Sequence, residues 1–181
     1  ESLMVVKNNY FWLGDESKVG FIANGEQIRV VRVMKTEEIY GFEFAHLIVT
    51  FVDYKDLGDV ELIVLTEALT TDGPSLPRER MKELFYAVER DYTHIRNKKK
   101  RYEAILANPY FNALQVKYAY AVTCHKSQGG QWSDVYIDQG YINEEMLGAD
   151  YYRWLYTALT RATNKAYLVN FADAFFKDST T

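Results

Sequence analysis

Apolar and polar residues follow a two-residue period in the first third of the chain, a helical period in the middle and a mixed one toward the end. Residues 3–6 form a short apolar run suited to a strand, broken by Lys7-Asn8-Asn9-Tyr10. Residues 14–18 and Asn24-Gly25 are turn signals; Asn-Gly is a strong two-residue hairpin signature because both residues tolerate positive φ. Residues 27–33 then largely alternate apolar with polar, as a half-buried antiparallel strand does. Further strands are expected at 43–54 and 60–66. Short strands divided by turns as far as residue 70 predict a small antiparallel barrel or meander, and residues 70–77 read as a linker.

The period then changes. Met81, Leu84, Phe85, Val88, Tyr92 and Ile95 recur at helical spacing, with a first turn at 77–79. The helical pattern runs on through Tyr102, Ile105 and Leu106, and Asn108-Pro109 ends it. Residues 114–122 predict a strand entering a polar loop, 134–138 a short strand, 144–162 a helix with Met146, Leu147, Tyr151, Leu155 and Leu159 on its apolar face, and 166–171 a last strand. A tail from Asp173 has little pattern. The 114–171 unit reads as part of an α/β sheet.

Composition narrows the class. Hydrophobic content of 48% and charged content of 25% fit a globular protein. A net charge of −4 argues against coating nucleic acid by bulk charge, yet leaves room for a local basic groove. Such a groove has a candidate: residues 78–101 hold nine Lys or Arg against four Asp or Glu and end in Lys98-Lys99-Lys100-Arg101. The same run also suits a merely solvated helix face. One cysteine, Cys124, excludes an internal disulfide framework and fits a reducing compartment. With no long apolar span and no charged-then-apolar leader, a cytoplasmic location and no membrane partner are expected. The three histidines and Cys124 lack metal-ligand spacing, so no metal site is expected. Cys124 and His125 are adjacent and point to opposite sides of an extended chain, which disfavours a thiol nucleophile.

Two strings carry the candidate chemistry. Residues 121–132 read Ala-Val-Thr-Cys-His-Lys-Ser-Gln-Gly-Gly-Gln-Trp, an apolar approach, a polar cluster and a Gly-Gly pair that lets backbone come close to a ligand. Taken alone it is equally an ordinary surface loop. Residues 156–162 read Tyr-Thr-Ala-Leu-Thr-Arg-Ala, with Arg161 late in a predicted helix. A guanidinium suits a phosphate, and it equally suits a helix C-terminus.

Together, the strings at 123–132 and 155–162 resemble motifs V and VI of superfamily 1 helicases, in particular their RecD-like branch. Lys7-Asn8-Asn9-Tyr10 followed by Asn24-Gly25 resembles that family's passage from its second RecA-like domain into an inserted SH3-like domain. The resemblance implies a mixed α/β chain: a partial RecA-like parallel-sheet domain from 1–10 and 121–176, an inserted SH3-like β domain from 11–75 and 110–120, and a basic helical insertion at 76–109. It implies an arginine finger at Arg161 and nucleotide contacts from Gly129, Gly130, Gln131 and Arg161. It implies single-stranded DNA contacts from Thr123, His125, Lys126 and Gln128, to which the basic run Lys98, Lys99, Lys100 and Arg101 adds a candidate surface. The family usually has Glu at the position of Gln131; an amide still bonds a ribose hydroxyl, without charge.

The string Gly-x-x-x-x-Gly-Lys-Ser/Thr does not occur, and no Asp-Glu pair at a strand end stands out. The expected parent is therefore an ATP-dependent DNA helicase, of an exodeoxyribonuclease or recombination type, whose N-terminal RecA-like domain supplies the phosphate cradle. ATP and Mg²⁺ belong to that parent, and nuclease or recombination subunits are candidate partners. The chain alone is expected not to hydrolyse ATP. The open alternative is a non-catalytic nucleic-acid-binding or protein-interaction module that keeps the helicase fold.

Overall fold

The computed structural model describes residues 1–13 and 19–176, so the turn expected at 14–18 lies outside the described residues. The chain divides into two compact units, Glu1–Ala121 and Val122–Thr181.

The first unit is built on a closed barrel of five strands: β1 (Ser2–Val5), β2 (Gln27–Ile39), β3 (Phe42–Phe51), β4 (Asp59–Leu65) and β5 (Leu114–Tyr118), in that order around the barrel. All neighbours run antiparallel except β4 and β5, which are parallel. A parallel pair cannot be joined by a tight turn. The crossover between them contains three helices: α1 (Glu67–Thr70), α2 (Arg78–Glu89) and α3 (Lys98–Leu106).

The apolar runs of β3 and β4 are explained by this crossover. Alternate residues point to opposite faces. Ala45, Leu47, Val49 and Phe51 of β3, with Leu62 and Val64 of β4, fill the barrel alongside Leu3, Val5, Ile28, Leu114 and Val116. Phe42, Phe44, Ile63 and Leu65 instead form a second core with Leu76, Leu84, Val88 and Ile105 from the crossover. Strands buried on both faces read as continuous apolar runs rather than alternating ones. The helical segment at 76–109, expected as a separate insertion, is thus half of the second core.

Residues 1–10, expected with 121–176, place β1 in the barrel instead. Leu3 and Met4 pair with both β2 and β5, and Val5 is fully buried. The expected hairpin at Asn24-Gly25 is also displaced. Gly25 has φ 100° but Asn24 is not left-handed, and the turn leads into β2 rather than joining adjacent strands. It is tied to the preceding segment by the Asn24 N–H, which donates to Asn8 Oδ1 at 2.8 Å, and by the Gly25 N–H, which donates to Val5 O at 2.8 Å. The two-residue hairpin lies at Tyr40-Gly41, with φ 60° and 73°, between β2 and β3. Two left-handed residues match the strand twist. Tyr40, an unusual residue there, donates its hydroxyl to Asp91 Oδ2 at 2.6 Å.

The expected continuous helix is two. Asn97 caps α3 through Oδ1, which accepts from the Lys100 N–H at 3.1 Å. An amide side chain at that position favours a helix start over a helix interior.

In the second unit, β6 (Trp132–Asp138) and β7 (Ala162–Val169) form a two-stranded parallel sheet, connected through α4 (Ala149–Leu159). The expected helix at 144–162 is shorter because Gly148 precedes α4 and Ala162 already pairs with Trp132. α4 buries Tyr151 and Ala158. The unit is mixed α/β. The tail starts with a 3-10 turn, Asp173–Phe176, and 177–181 lie outside the described residues.

Candidate functional site

The strand expected at 114–122 does not run into the polar loop. β5 ends at Tyr118, and Tyr118 and Tyr120 stack on each other with ring centroids 5.5 Å apart, both exposed. Past the buried part of β5, the apolar appearance of residues 118–121 comes from exposed tyrosine rings and alanine methyls. Residues 123–130 follow as a compact coil of turns. The Ser127 N–H reaches Thr123 O at 3.1 Å, Gln128 N–H reaches His125 O at 3.4 Å and Gly130 N–H reaches Ser127 O at 3.1 Å. Gly129, at φ 86°, turns the chain out of this coil in a conformation that a side chain resists.

The coil is anchored from inside. Ser127 is buried and its hydroxyl donates to Cys124 O at 2.7 Å. Cys124 Sγ donates to the Trp154 carbonyl of α4 at 3.4 Å. Burial pushes the Cys124 thiol up, against an opposing pull from Arg161, so it is poorly suited to nucleophilic work. The polar side chains expected to meet DNA, Thr123, His125, Lys126 and Gln128, are on the exposed side of the coil.

Gly130 lies under Trp132. A Cβ built on it would stand 2.5 Å from the end of the indole and 3.0 Å from two more ring carbons. Only a residue without a side chain lets the ring settle there. Trp132 also opens β6, donating its N–H to the Arg161 carbonyl at 2.9 Å.

Arg161 joins the two strings. It follows the C-terminal end of α4 and is half-buried. Nε donates to Thr157 O at 3.0 Å, Nη1 to Gly130 O at 3.0 Å with Ser127 O at 3.5 Å, and Nη2 to Thr160 Oγ1 at 3.1 Å. The exposed Gln131 reaches back to Thr160 O through Nε2 at 3.5 Å. Gly129, Gly130, Gln131 and Arg161 are therefore gathered at the amino ends of β6 and β7. Trp132, Ser127 and Thr160 belong to the same constellation. The order Gly-x-Trp was the visible sign of the first.

Lys98, Lys99, Lys100 and Arg101 belong to the first unit and form the opening turn of α3. The three lysines are exposed. Their charge adds to the positive end of the helix dipole, an arrangement unfavourable to the helix itself. Arg101 is turned inward: Nε donates to Ile95 O at 3.0 Å and Nη1 meets Glu89 Oε1 at 3.4 Å. Its role is to tie α3 to α2, and the exposed part of the basic run is the lysine triplet.

Residues 118–169 match the model of the UvrD-like helicase C-terminal domain. The matched span runs from Tyr118 to the end of β7 and includes both strings and every hydrogen bond of Arg161 given above. It supports a superfamily 1 helicase C-terminal part, and with it an ATP-dependent helicase as parent. Among curated proteins, none matches the chain. Among the described residues, no helix is long and apolar enough to cross a membrane.

The donor set suits one side of a nucleotide. Arg161 offers a cationic fork and Gln131 an exposed amide, while the Gly130 N–H is already bonded within the coil. No group of His, Cys, Asp and Glu that could hold a metal ion occurs among the described residues.

Proposed function

We propose that this chain is the C-terminal part of an ATP-dependent DNA helicase of the RecD-like branch, with residues 122–176 as part of its second RecA-like domain and the barrel as an SH3-like domain. Arg161 acts as the arginine finger on the γ-phosphate, and Thr123, His125, Lys126 and Gln128 grip the phosphates of single-stranded DNA. An N-terminal RecA-like domain of the parent supplies the phosphate cradle and the Mg²⁺ site.

The observation that carries this reading is the Arg161 bridge to Gly130 O at 3.0 Å, which ties the proposed nucleotide group to the proposed DNA loop. A phosphate oxygen placed before the guanidinium competes with the Gly130 and Ser127 carbonyls for the same Nη1 hydrogens. Charge on the ligand makes it the stronger acceptor. Nucleotide arrival then loosens the coil from Arg161, and its loss restores the bridge. That exchange couples ATP turnover to grip on the strand. Hydroxyl, imidazole and ammonium groups on the coil contact phosphates without reading bases. Lys98, Lys99 and Lys100 supply a second, purely electrostatic contact to nucleic acid.

The test uses the parent protein with Arg161→Ala. DNA-stimulated ATP hydrolysis is expected to fall by about a thousandfold or more, as for other arginine fingers, and DNA affinity in the absence of nucleotide to shift toward that of the nucleotide-bound protein, because the coil has lost its Arg161 bridge. A wild-type turnover number in that variant overturns the reading, as does robust ATP hydrolysis by the 181-residue chain alone.

A further inference from the structure

A cleft of about 430 Å³ opens in the first unit, between the segment after β1, helix α2 and the approach to β5. Its size suits a single nucleoside phosphate. The lining is unlike the rest of the chain. Although Asp and Glu outnumber Lys and Arg by 25 to 21 in the sequence, among the described residues no carboxylate lines the cleft, and Lys7 does. Aromatic rings of Tyr10, Phe11 and Phe111 line it as well, with Tyr10 70% exposed.

Gln115 and Asn8 leave amide donors toward it, whereas Asn112 spends its amide hydrogens on Leu106 O and Asn108 O and leaves Oδ1 as an acceptor. Gln115 is only 5% exposed, and its Oε1 accepts the Leu76 N–H at 2.9 Å. Among the described residues, its Nε2 reaches the Met81 sulfur at 3.3 Å, and a thioether is a weak acceptor. Asn8 Oδ1 is taken by the Asn24 N–H, which leaves the Asn8 amide to donate. The walls are fixed before any ligand arrives, because Asn9 Nδ2 and Trp12 Nε1 both donate to Asn112 O at 2.8 Å.

We infer that this cleft binds a nucleotide unit, with its base against the aromatic rings, a base carbonyl accepting from Gln115 Nε2, and its phosphate on Lys7. The Gln115 and Asn8 donors favour bases that present carbonyl oxygens, thymine and uracil above adenine. The site belongs to the barrel unit and stands apart from the Arg161 constellation. It does not depend on the helicase reading. The unit is supplied either by a single strand or by a free nucleotide.

The experiment titrates the intact chain against a fluorescein-labelled thymidine 12-mer, an abasic 12-mer of equal charge and thymidine 5′-monophosphate. The variants are Gln115→Glu, which keeps the acceptor for Leu76 N–H and removes the donor, and Lys7→Gln on the exposed rim. The thymidine 12-mer is expected to bind about tenfold more tightly than the abasic one, and each variant to lose about fivefold or more of that difference. Thermal midpoints are measured alongside, so that a folding defect in Gln115→Glu leaves Lys7→Gln to decide. Binding of the monophosphate, weakened in the variants, identifies a free-nucleotide site, and binding of the 12-mer alone identifies a strand site. Equal affinity for the abasic strand with no monophosphate binding overturns the inference, as does indifference of both ligands to both substitutions. Lys82→Gln, an exposed cation of α2 that lines neither site, serves as the charge-matched control and leaves thymidine monophosphate binding unchanged.

Discussion

Replacing Arg161 by Met should destabilise the second unit even with no ligand present. A residue whose sole business is with a phosphate would be neutral in the empty protein. Here the guanidinium holds Gly130 O at 3.0 Å and Thr160 Oγ1 at 3.1 Å, besides the Thr157 carbonyl one turn back on α4. The Ser127 contact at 3.5 Å is at the limit and is left out. A net contribution of about 0.5–1.5 kcal/mol per bond, for the bonds to Gly130 and Thr160, gives a cost of roughly 1–3 kcal/mol. Met keeps much of the side-chain volume, so cavity terms are small. Unfolding in urea, followed through the fluorescence of Trp132 and Trp154, reads the midpoint of this unit. Hydrogen exchange of a peptide spanning 123–132 reads the loop directly, and faster exchange is expected there while peptides of β3 and β4 keep their rates. An unchanged midpoint together with unchanged loop exchange would refute the claim that Arg161 braces the coil.

Gly130→Ala should force the Trp132 ring away from its seat 2.5 Å from the new methyl, with a red shift in emission and a cost of about 1–2 kcal/mol; an unshifted spectrum counts against the packing argument. Leu84→Ala, at a site 1% exposed in the second core, should lower first-unit stability by about 2–5 kcal/mol in denaturant titration, whereas a solvated helical insertion would lose little. Glu37 accepts from Lys35 Nζ at 2.9 Å, Tyr110 at 2.7 Å and His46 Nε2 at 2.6 Å, and Lys35 first, then Tyr110, hold its carboxyl down at about 2. A carboxyl lowered in the folded state stabilises above the ordinary carboxylate range, so its contribution is complete above about pH 4.5 and fades as pH falls toward 2. Glu37→Gln should flatten the midpoint-versus-pH curve across that window and leave its shape above pH 5 alone.

Local pattern located the strands and helices well where an apolar run or a helical period was complete within one segment. β4 and α2 lie close to their expected places because their periods reflect a single chain segment. Long-range partnership had no such local signal. Nothing in residues 3–5 distinguishes a barrel strand from a sheet strand of another unit, since β1 takes its identity from Ile28 and Val116, distant in sequence. Tyr40-Gly41 carries no local hairpin signal because Tyr is a poor left-handed residue, and its hydroxyl partner Asp91 is supplied by the crossover. Arg101 looked like one more surface cation until the break at 93–97 brought Ile95 O and Glu89 beside it.

What the sequence alone determined is the inventory: a β-rich start, a basic helical middle, and two strings whose residue types suit phosphate and nucleic acid. Those follow from side-chain chemistry and short-range period, which a linear chain carries in full. The tertiary structure decided which groups meet. Arg161 is 31 residues from Gly130 in sequence and within hydrogen-bonding distance of its carbonyl, because β6 and β7 pair in parallel and bring their amino ends together. The helical middle became half of a core because a parallel β4–β5 pair demands a crossover, and the apolar residues on the second faces of β3 and β4 require something to cover them.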